Sequence, residues 1–310
     1  MGDSLIASVI AATLVAGTPL IIVAIGELIT ERAGVLNLGA EGMMSVGAVA
    51  AFAAAHAGSG PWMAALLGMA AGVAMALLFG YVTLTMQANQ VASGLALAIF
   101  GVGLAAFLGK PYESSPLPAV PPLHIPLLAD IPLIGPALFH QQALVYVSWL
   151  LVAGVAWFLE RSRGGLVLRA VGESPSAAHA VGYPVIAIRY AAVAFGGAMA
   201  GLGGAFLSVF YTPLWAEGMV AGRGWIALAL VVFATWRPLR VMVGAYLFGG
   251  VLVSQLFVQG LGLPLEIPAQ WLSALPYLAT VVVLVLISRN QTTVRLNSPA
   301  SLGQAFRPDR

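Results

Sequence analysis

Apolar runs of about 20 residues, long enough to cross a bilayer as helices, alternate along this chain with short stretches that hold nearly all of its polar groups. The runs lie at 4–29, 36–57, 62–86, 90–109, 142–159, 191–212, 224–236, 241–260 and 270–288. They predict an all-α fold, a polytopic transmembrane helical bundle of about nine spans, within a range of about 8–10. Two runs are irregular. The run 36–57 contains Asn37 and Glu41, and 224–236 is short unless the polar lead-in from Glu217 also enters the membrane, so each is read as a broken or re-entrant helix. The first run is too long for the apolar region of a signal peptide, lacks a basic start and meets Glu31 and Arg32 instead of small residues; it reads as a retained helix.

Composition agrees with the pattern. Hydrophobic residues make up 60% of the chain and charged residues 8%, against roughly 25% charged in soluble domains, so most of the surface is expected to face lipid. The 36 glycines suit close helix approach, as in Gly68-x-x-x-Gly72 and Gly197-x-x-x-Gly201. The absence of cysteine excludes disulfides, iron–sulfur clusters and thiolate metal sites. A net charge of +2 is too small to imply nucleic acid.

The positions of the charges matter more than their sum. Arg161, Arg163, Arg169 and Arg189 share one loop, Arg237 and Arg240 another, and Arg289, Arg295, Arg307 and Arg310 the end. The positive-inside rule makes these segments cytoplasmic. Counting crossings outward puts Arg32 inside as well, and the amino terminus and residues 110–140, with Lys110, outside. Eight prolines in 110–140 disfavour a helix and suit an ordered external loop. The chain thus divides into a membrane domain, 1–290, with an external Pro-rich loop at 110–140 and a cytoplasmic loop at 160–190, followed by a cytoplasmic tail, 291–310.

Three stretches carry chemistry. In the first, Gly26 to Met44, glycines and polar groups interrupt two spans. A carboxylate at membrane depth costs about 2.5–3.5 kcal/mol on insertion scales, so Glu41 needs a partner or a watery cavity. Asn37 and Glu41 either fix a helix break or line a solute path; Glu27, Glu31 and Arg32 are read at the cytoplasmic interface. In the second, Asn89, Ser93, Leu97 and Phe100 fall on one helix face, offering hydrogen bonds and an aromatic surface to a base or sugar. Asn89 and Gln90 equally suit a helix cap or a bond to a neighbouring helix. In the third, Ser174 is an N-cap, Pro175 a first helical residue, and Gly182 with Pro184 a stop. The short helix between them needs something to dock on, and Ala177, Ala178 and Ala180 are small enough to enter a groove. His179 has no ligand partner at suitable spacing and reads as a surface or interface residue. A short echo, Ala40-Glu-Gly-Met-Met44 and Ala216-Glu-Gly-Met-Val220, fits the repeated halves that many transporters carry.

With these residues in view, the run Glu31 to Met44, the Asn89-Gln90 segment, the Gly172 to Gly182 loop and the run Gly222 to Phe233 resemble the ABC importer permeases that serve branched-chain amino acids, simple sugars and nucleosides, and most resemble the nucleoside branch. The resemblance spans roughly 20–290. It implies a permease subunit that moves a nucleoside or purine-like solute by alternating access in a bacterial-type inner membrane. The implied partners are a second permease, an ABC ATPase and an extracytoplasmic binding protein. Asn37, Glu41, Asn89, Gln90, Ser93 and Phe100 would lie near the solute path, and Gly172, Glu173, Ser174, Pro175, Ala178, His179 and Gly182 would form the helix that couples to the ATPase. The chain has no Gly-x-x-x-x-Gly-Lys-Ser/Thr loop, and its single lysine is Lys110, so it is expected to bind no cofactor and to leave ATP and Mg to the ATPase. The same machinery serving a sugar or a branched-chain amino acid is the alternative. An intramembrane enzyme lacks a paired acid or activated nucleophile, since Glu41, Glu217 and Glu266 are scattered, and a channel lacks a repeated filter motif.

Overall fold

The computed structural model describes residues 2–124, 126, 131, 134–260, 278 and 297–307. The expected span at 270–288 lies outside them but for residue 278, as do Glu266, Arg289, Arg295 and Arg310. Among the described residues five helices are long and apolar enough to cross a membrane. They are α1 (Gly2–Arg32), α3 (Pro61–Gly80), α4 (Gln90–Gly109), α6 (Ala143–Arg161) and α9 (Val185–Ala205). Five-residue and six-residue π-helical turns, Tyr81–Thr85 and Phe206–Tyr211, extend α3 and α9. Between these lie α2 (Ala40–His56) and α10 (Arg223–Phe233), with α11 (Pro238–Gly260) closing the described bundle. Helices begin and end within a few residues of the apolar runs because most charged residues cluster near the run ends.

α1 and α9 form the centre, buried along most of their lengths, whereas α4 and α6 are peripheral. Small residues set the closest approach. The two glycine pairs picked out by their spacing meet: a Cβ on Gly72 would stand 2.1 Å from the Gly197 oxygen, and one on Gly201 2.2 Å from the Gly68 oxygen. α3 and α9 therefore cross in backbone contact, where packing and weak Cα–H contacts supply the attraction that hydrophobicity cannot supply in lipid. Outward, α4 and α6 present large apolar side chains such as Ile99, Phe107, Leu150 and Trp157, as expected of faces toward lipid or another membrane subunit.

The two ends of the bundle differ. At one end Arg32, Arg189, Arg237 and the loop of α7 (Arg163–Glu173) and α8 (Pro175–Ala180) come together with residues 297–307. At the other, the 110–140 stretch is ordered wherever it is described. It holds α5 (Ile134–Leu138) and two short antiparallel strands, β1 (Leu123–His124) and β2 (His140–Gln141). It is fastened to the segment after α9 by Leu117 N–H donating to the Pro213 oxygen at 2.8 Å and Gln142 Nε2 donating to the Phe210 oxygen at 3.1 Å. Buried Trp215 packs below it with Phe52 and Tyr112. The arginine-rich segments and the Pro-rich loop thus occupy opposite ends.

Candidate functional site

The most unusual feature of the interior is a pair of helix breaks. α1 stops at Arg32 because Gly34, at φ +84°, turns the chain left-handed. Gly34 N–H then donates to the Glu31 oxygen at 2.8 Å and Val35 N–H to the Thr30 oxygen at 3.2 Å, the Schellman closure of a helix. Residues 35–39 run back along α4, and α2 begins only at Ala40, where Gly39 and Gly42 lie against Leu97. The second break follows α9: residues 212–222 form turns and two isolated bridges to the Pro-rich loop, and α10 then starts in the interior.

Glu41 joins the two. Its Oε1 accepts from Gly222 N–H and its Oε2 from Gly224 N–H, both at 2.7 Å. A carboxylate in the first turn of α2 thus caps the first turn of α10, using the orphan donors and the positive end of that helix. Gly224 has no side chain because a Cβ there would meet the Glu41 backbone at 2.6 Å. Two helices therefore start head to head inside the bundle, an arrangement found beside the solute sites of many transporters.

The first break is pinned by side chains. Asn37, fully buried, accepts from Gly39 N–H through Oδ1 at 2.9 Å and donates through Nδ2 to Glu27 Oε1 at 3.0 Å. Gln90 Oε1 accepts from Leu36 N–H at 2.8 Å. Glu27 and Glu31, read from sequence as interfacial, are buried, with Glu31 Oε2 accepting from Trp236 Nε1 at 2.6 Å. The C-terminal turn of α1 is covered by the α10–α11 corner and by residues 297–307, so these carboxylates face protein, which hydropathy does not reveal.

The six residues singled out beside a path thus separate into two groups. Asn37, Glu41 and Gln90 are buried and hold the breaks. Asn89, Ser93 and Phe100 lie on the outer side of α4. Asn89 is exposed and caps α4 by accepting from Ala92 N–H at 3.0 Å. Ser93 and Phe100 line a shallow apolar groove with Leu78, Phe79 and Val82, and Phe100 is 52% exposed. Leu97 turns inward beneath them against Gly39. Glu217, the second acid of the echo, is exposed.

The 172–182 segment folds as its caps dictate. Ser174 accepts from Ala177 N–H at 3.3 Å, Pro175 opens α8, and Gly182 at φ +94° closes it. Its outward surface includes Ser176, Ala177, His179, Ala180, Val181 and Tyr183, with Val181 78% exposed. Ala178 is not on that surface. It is buried against Val171, Val185 and Phe306, so the small residue expected to enter a partner's groove seats α8 on its own chain. Gly172, also inward, touches the end of α1, whereas Glu173 is exposed and its Oε2 accepts from Ala300 N–H at 3.4 Å. Sequence reasoning used Arg189 only as a loop charge and Gly222 and Gly224 only as part of a family motif, and it passed over Ser301 and Trp236; all five hold this site together. The run Gly222-Arg-Gly224 before an apolar stretch was the one local signal of a buried helix start.

Known proteins share this architecture. A solved structure described as "An inward-facing conformation of a putative metal-chelate type ABC transporter" matches with a TM-score of 0.53 at 15% identity, covering 89% of this chain and 84% of that one, a likeness of fold. The "Putative glucose ABC transporter permease protein TsgC13" of Haloferax volcanii is 41% identical over 98% of this chain and 98% of its own length. The nucleoside ABC transporter permease protein NupC of Lactococcus lactis is 34% identical over 90% of this chain and 91% of its own length. The guanosine ABC transporter permease protein NupQ of Bacillus subtilis is 33% identical over 89% and 90%. A family model described as branched-chain amino acid transport system / permease component matches residues 9–287. With both breaks and α8 inside that match, the chain belongs to the branched-chain amino acid transport system / permease component family.

Proposed function

We propose that this chain is the membrane-spanning permease subunit of an ATP-driven importer and moves a nucleoside or purine-like solute by alternating access. The observation that carries the reading is the pair of helices that start head to head inside the bundle around Glu41, in a chain about one-third identical to a nucleoside permease and a guanosine permease over nine-tenths of its length. Discontinuous helices form the solute sites of many transporters, and alternating access comes from rocking or gating one bundle against another around such a site.

In this reading the chain crosses the inner membrane about nine times. α2 and α10 are the broken spans, 1–290 is the membrane domain and 291–310 the tail. The arginine-rich end is cytoplasmic and the amino terminus external. The exposed α3–α4 face, with Ser93 and Phe100, meets a second permease across the path, and Asn37, Glu41, Asn89 and Gln90 shape its cytoplasmic side. The outward surface of α8 seats on an ABC ATPase, which holds ATP and Mg and performs hydrolysis. An extracytoplasmic binding protein docks on the 110–140 end.

A sugar is the second reading, favoured by the relative whose name includes glucose. Calorimetric titration of the cognate extracytoplasmic binding protein separates the two. Heat of binding with guanosine or adenosine, and none with glucose, is the expected result; the reverse moves the assignment to sugars.

A further inference from the structure

Residues 297–307 lie across the arginine-rich end, and their contacts fall on the first helix break, on the seat of α8 and on the turn before α4. Ser301 N–H and Oγ both donate to the Gly172 oxygen, at 3.0 and 2.6 Å. Gly303 N–H donates to the Gly34 oxygen at 3.2 Å, at the first helix break. From α9, Arg189 donates through Nε to the Ala33 oxygen at 3.1 Å, through Nη1 to the Gln304 oxygen at 3.1 Å and through Nη2 to Ser301 Oγ at 3.0 Å. The Phe306 ring stands edge-on to His179 at 5.7 Å and packs on Ala178, beneath α8. Arg307 Nε donates to Gln87 Oε1 in the turn between α3 and α4.

These contacts leave little play. Arg189 is 1% exposed, and a buried guanidinium is tolerable only when its donors are met. Two of the three oxygens it uses belong to residues 301 and 304 and the third to the end of α1, so it is satisfied only when all three segments are in place. Such a network forms or breaks largely as a unit. The packing is close as well: a Cβ on Gly172 would lie 2.1 Å from the Arg32 backbone oxygen, and one on Gly34 2.5 Å from Ser301 Oγ. The seat of α8, the break at 33–39 and the α3–α4 turn are therefore bound to one another through a segment that belongs to none of them.

We propose that residues 297–307 are a transmission strap that makes α8, the 33–39 break and the α3–α4 turn move as one body, carrying a displacement of α8 to the residues that shape the solute path. The inference rests on the reading of α8 as the ATPase-docking helix. A segment that only filled space would not need hydrogen bonds to the backbone of both the α8 seat and the 33–39 break and a side-chain bond to the α3–α4 turn.

The absence of native cysteine allows spin labels on Ser176→Cys in α8 and Met86→Cys in the α3–α4 turn, both exposed. Electron–electron resonance on the assembled transporter in lipid nanodiscs, with and without ATP, then gives their separation. The native strap is expected to hold one narrow distance that ATP does not change. The Ser301→Ala/Phe306→Ala variant is expected to show a broadened distance that moves by roughly 2–5 Å on adding ATP, and Ser301→Thr/Phe306→Tyr to restore the native behaviour. An ATP-dependent separation in the native protein overturns the strap whether or not the variant assembles; so does a variant distance as narrow and constant as the native one. The docking reading fails differently, by undiminished co-purification of the ATPase with a Val181→Arg chain.

Discussion

Glu41 shows how a charged side chain is kept inside a membrane protein. Among the described residues its carboxylate has no guanidinium or ammonium as hydrogen-bond partner; two backbone N–H groups at the start of α10 hold it instead. The ion meets the positive end of a helix dipole and the helix start finds its missing acceptors, so both desolvation costs are offset by one contact. Replacing Glu41 with alanine removes two hydrogen bonds to a charged acceptor, each worth about 1.5–3 kcal/mol. Thermal unfolding in detergent should show a loss of about 3 kcal/mol for Glu41→Ala and about half of that for Glu41→Gln, which keeps one acceptor oxygen. Glu217, exposed in the echo segment, serves as the control, and Glu217→Ala should stay within about 0.5 kcal/mol of the parent. Equal effects at the two positions would remove Glu41 from its role as a cap. The identity and depth of Glu41 are legible in the sequence, since a lone acid in an apolar run needs a partner. The partner is not, because it is the main chain of Gly222 and Gly224, and every residue but proline carries that donor.

Between elements, the contact of α3 with α9 depends on having no side chain at four positions. Gly72→Val places a branched side chain where even a Cβ stands 2.1 Å from the Gly197 oxygen, so the helices must separate or shift register. Forcing volume into so close a crossing costs about 1–3 kcal/mol or more, and the folded yield of Gly72→Val should fall below that of the parent. Gly154, midway along α6, faces open space, and a Cβ added there would meet nothing within 4 Å. Gly154→Ala should leave yield unchanged or raise stability by about 0.5–1 kcal/mol, as alanine does in a helix interior. Size-exclusion profiles and melting curves of the two variants decide this, and a Gly72→Val protein as stable as Gly154→Ala would show that the crossing tolerates side chains. α8 illustrates the opposite limit of legibility. Its caps, length and stop were readable because each rests on neighbours within five residues, but the orientation of Ala178 was not, because Phe306 and Val185 decide which face is inside.

For the whole molecule, the arginine bias and the proline-rich stretch assign the ends, and the structure keeps them apart. The expected outcome of surface labelling follows from that separation. With no native cysteine, Ala119→Cys on the Pro-rich loop and Ser176→Cys in α8 can be challenged in intact cells by a membrane-impermeant thiol reagent. Ala119→Cys should be modified and Ser176→Cys protected until the membrane is opened; the reverse pattern would invert the topology. This test does not depend on the number of spans.

Sequence by itself determined that the chain is a membrane-embedded helical bundle, where most helices begin and end, which glycine spacings suit a close helix approach, and that 174–182 is a short capped helix. These are consequences of length, hydropathy and local capping, which act among near neighbours in the chain. Only the tertiary structure decided that Glu41 caps α10, that Glu27 and Glu31 are enclosed, that Ser93 and Phe100 face outward from α4, and that Arg189 is met by Ser301 and Gln304. In each case the partner lies far away in sequence or is a plain backbone group. In a chain whose surface is as apolar as its core, hydropathy cannot distinguish the side that faces lipid from the side that faces another helix.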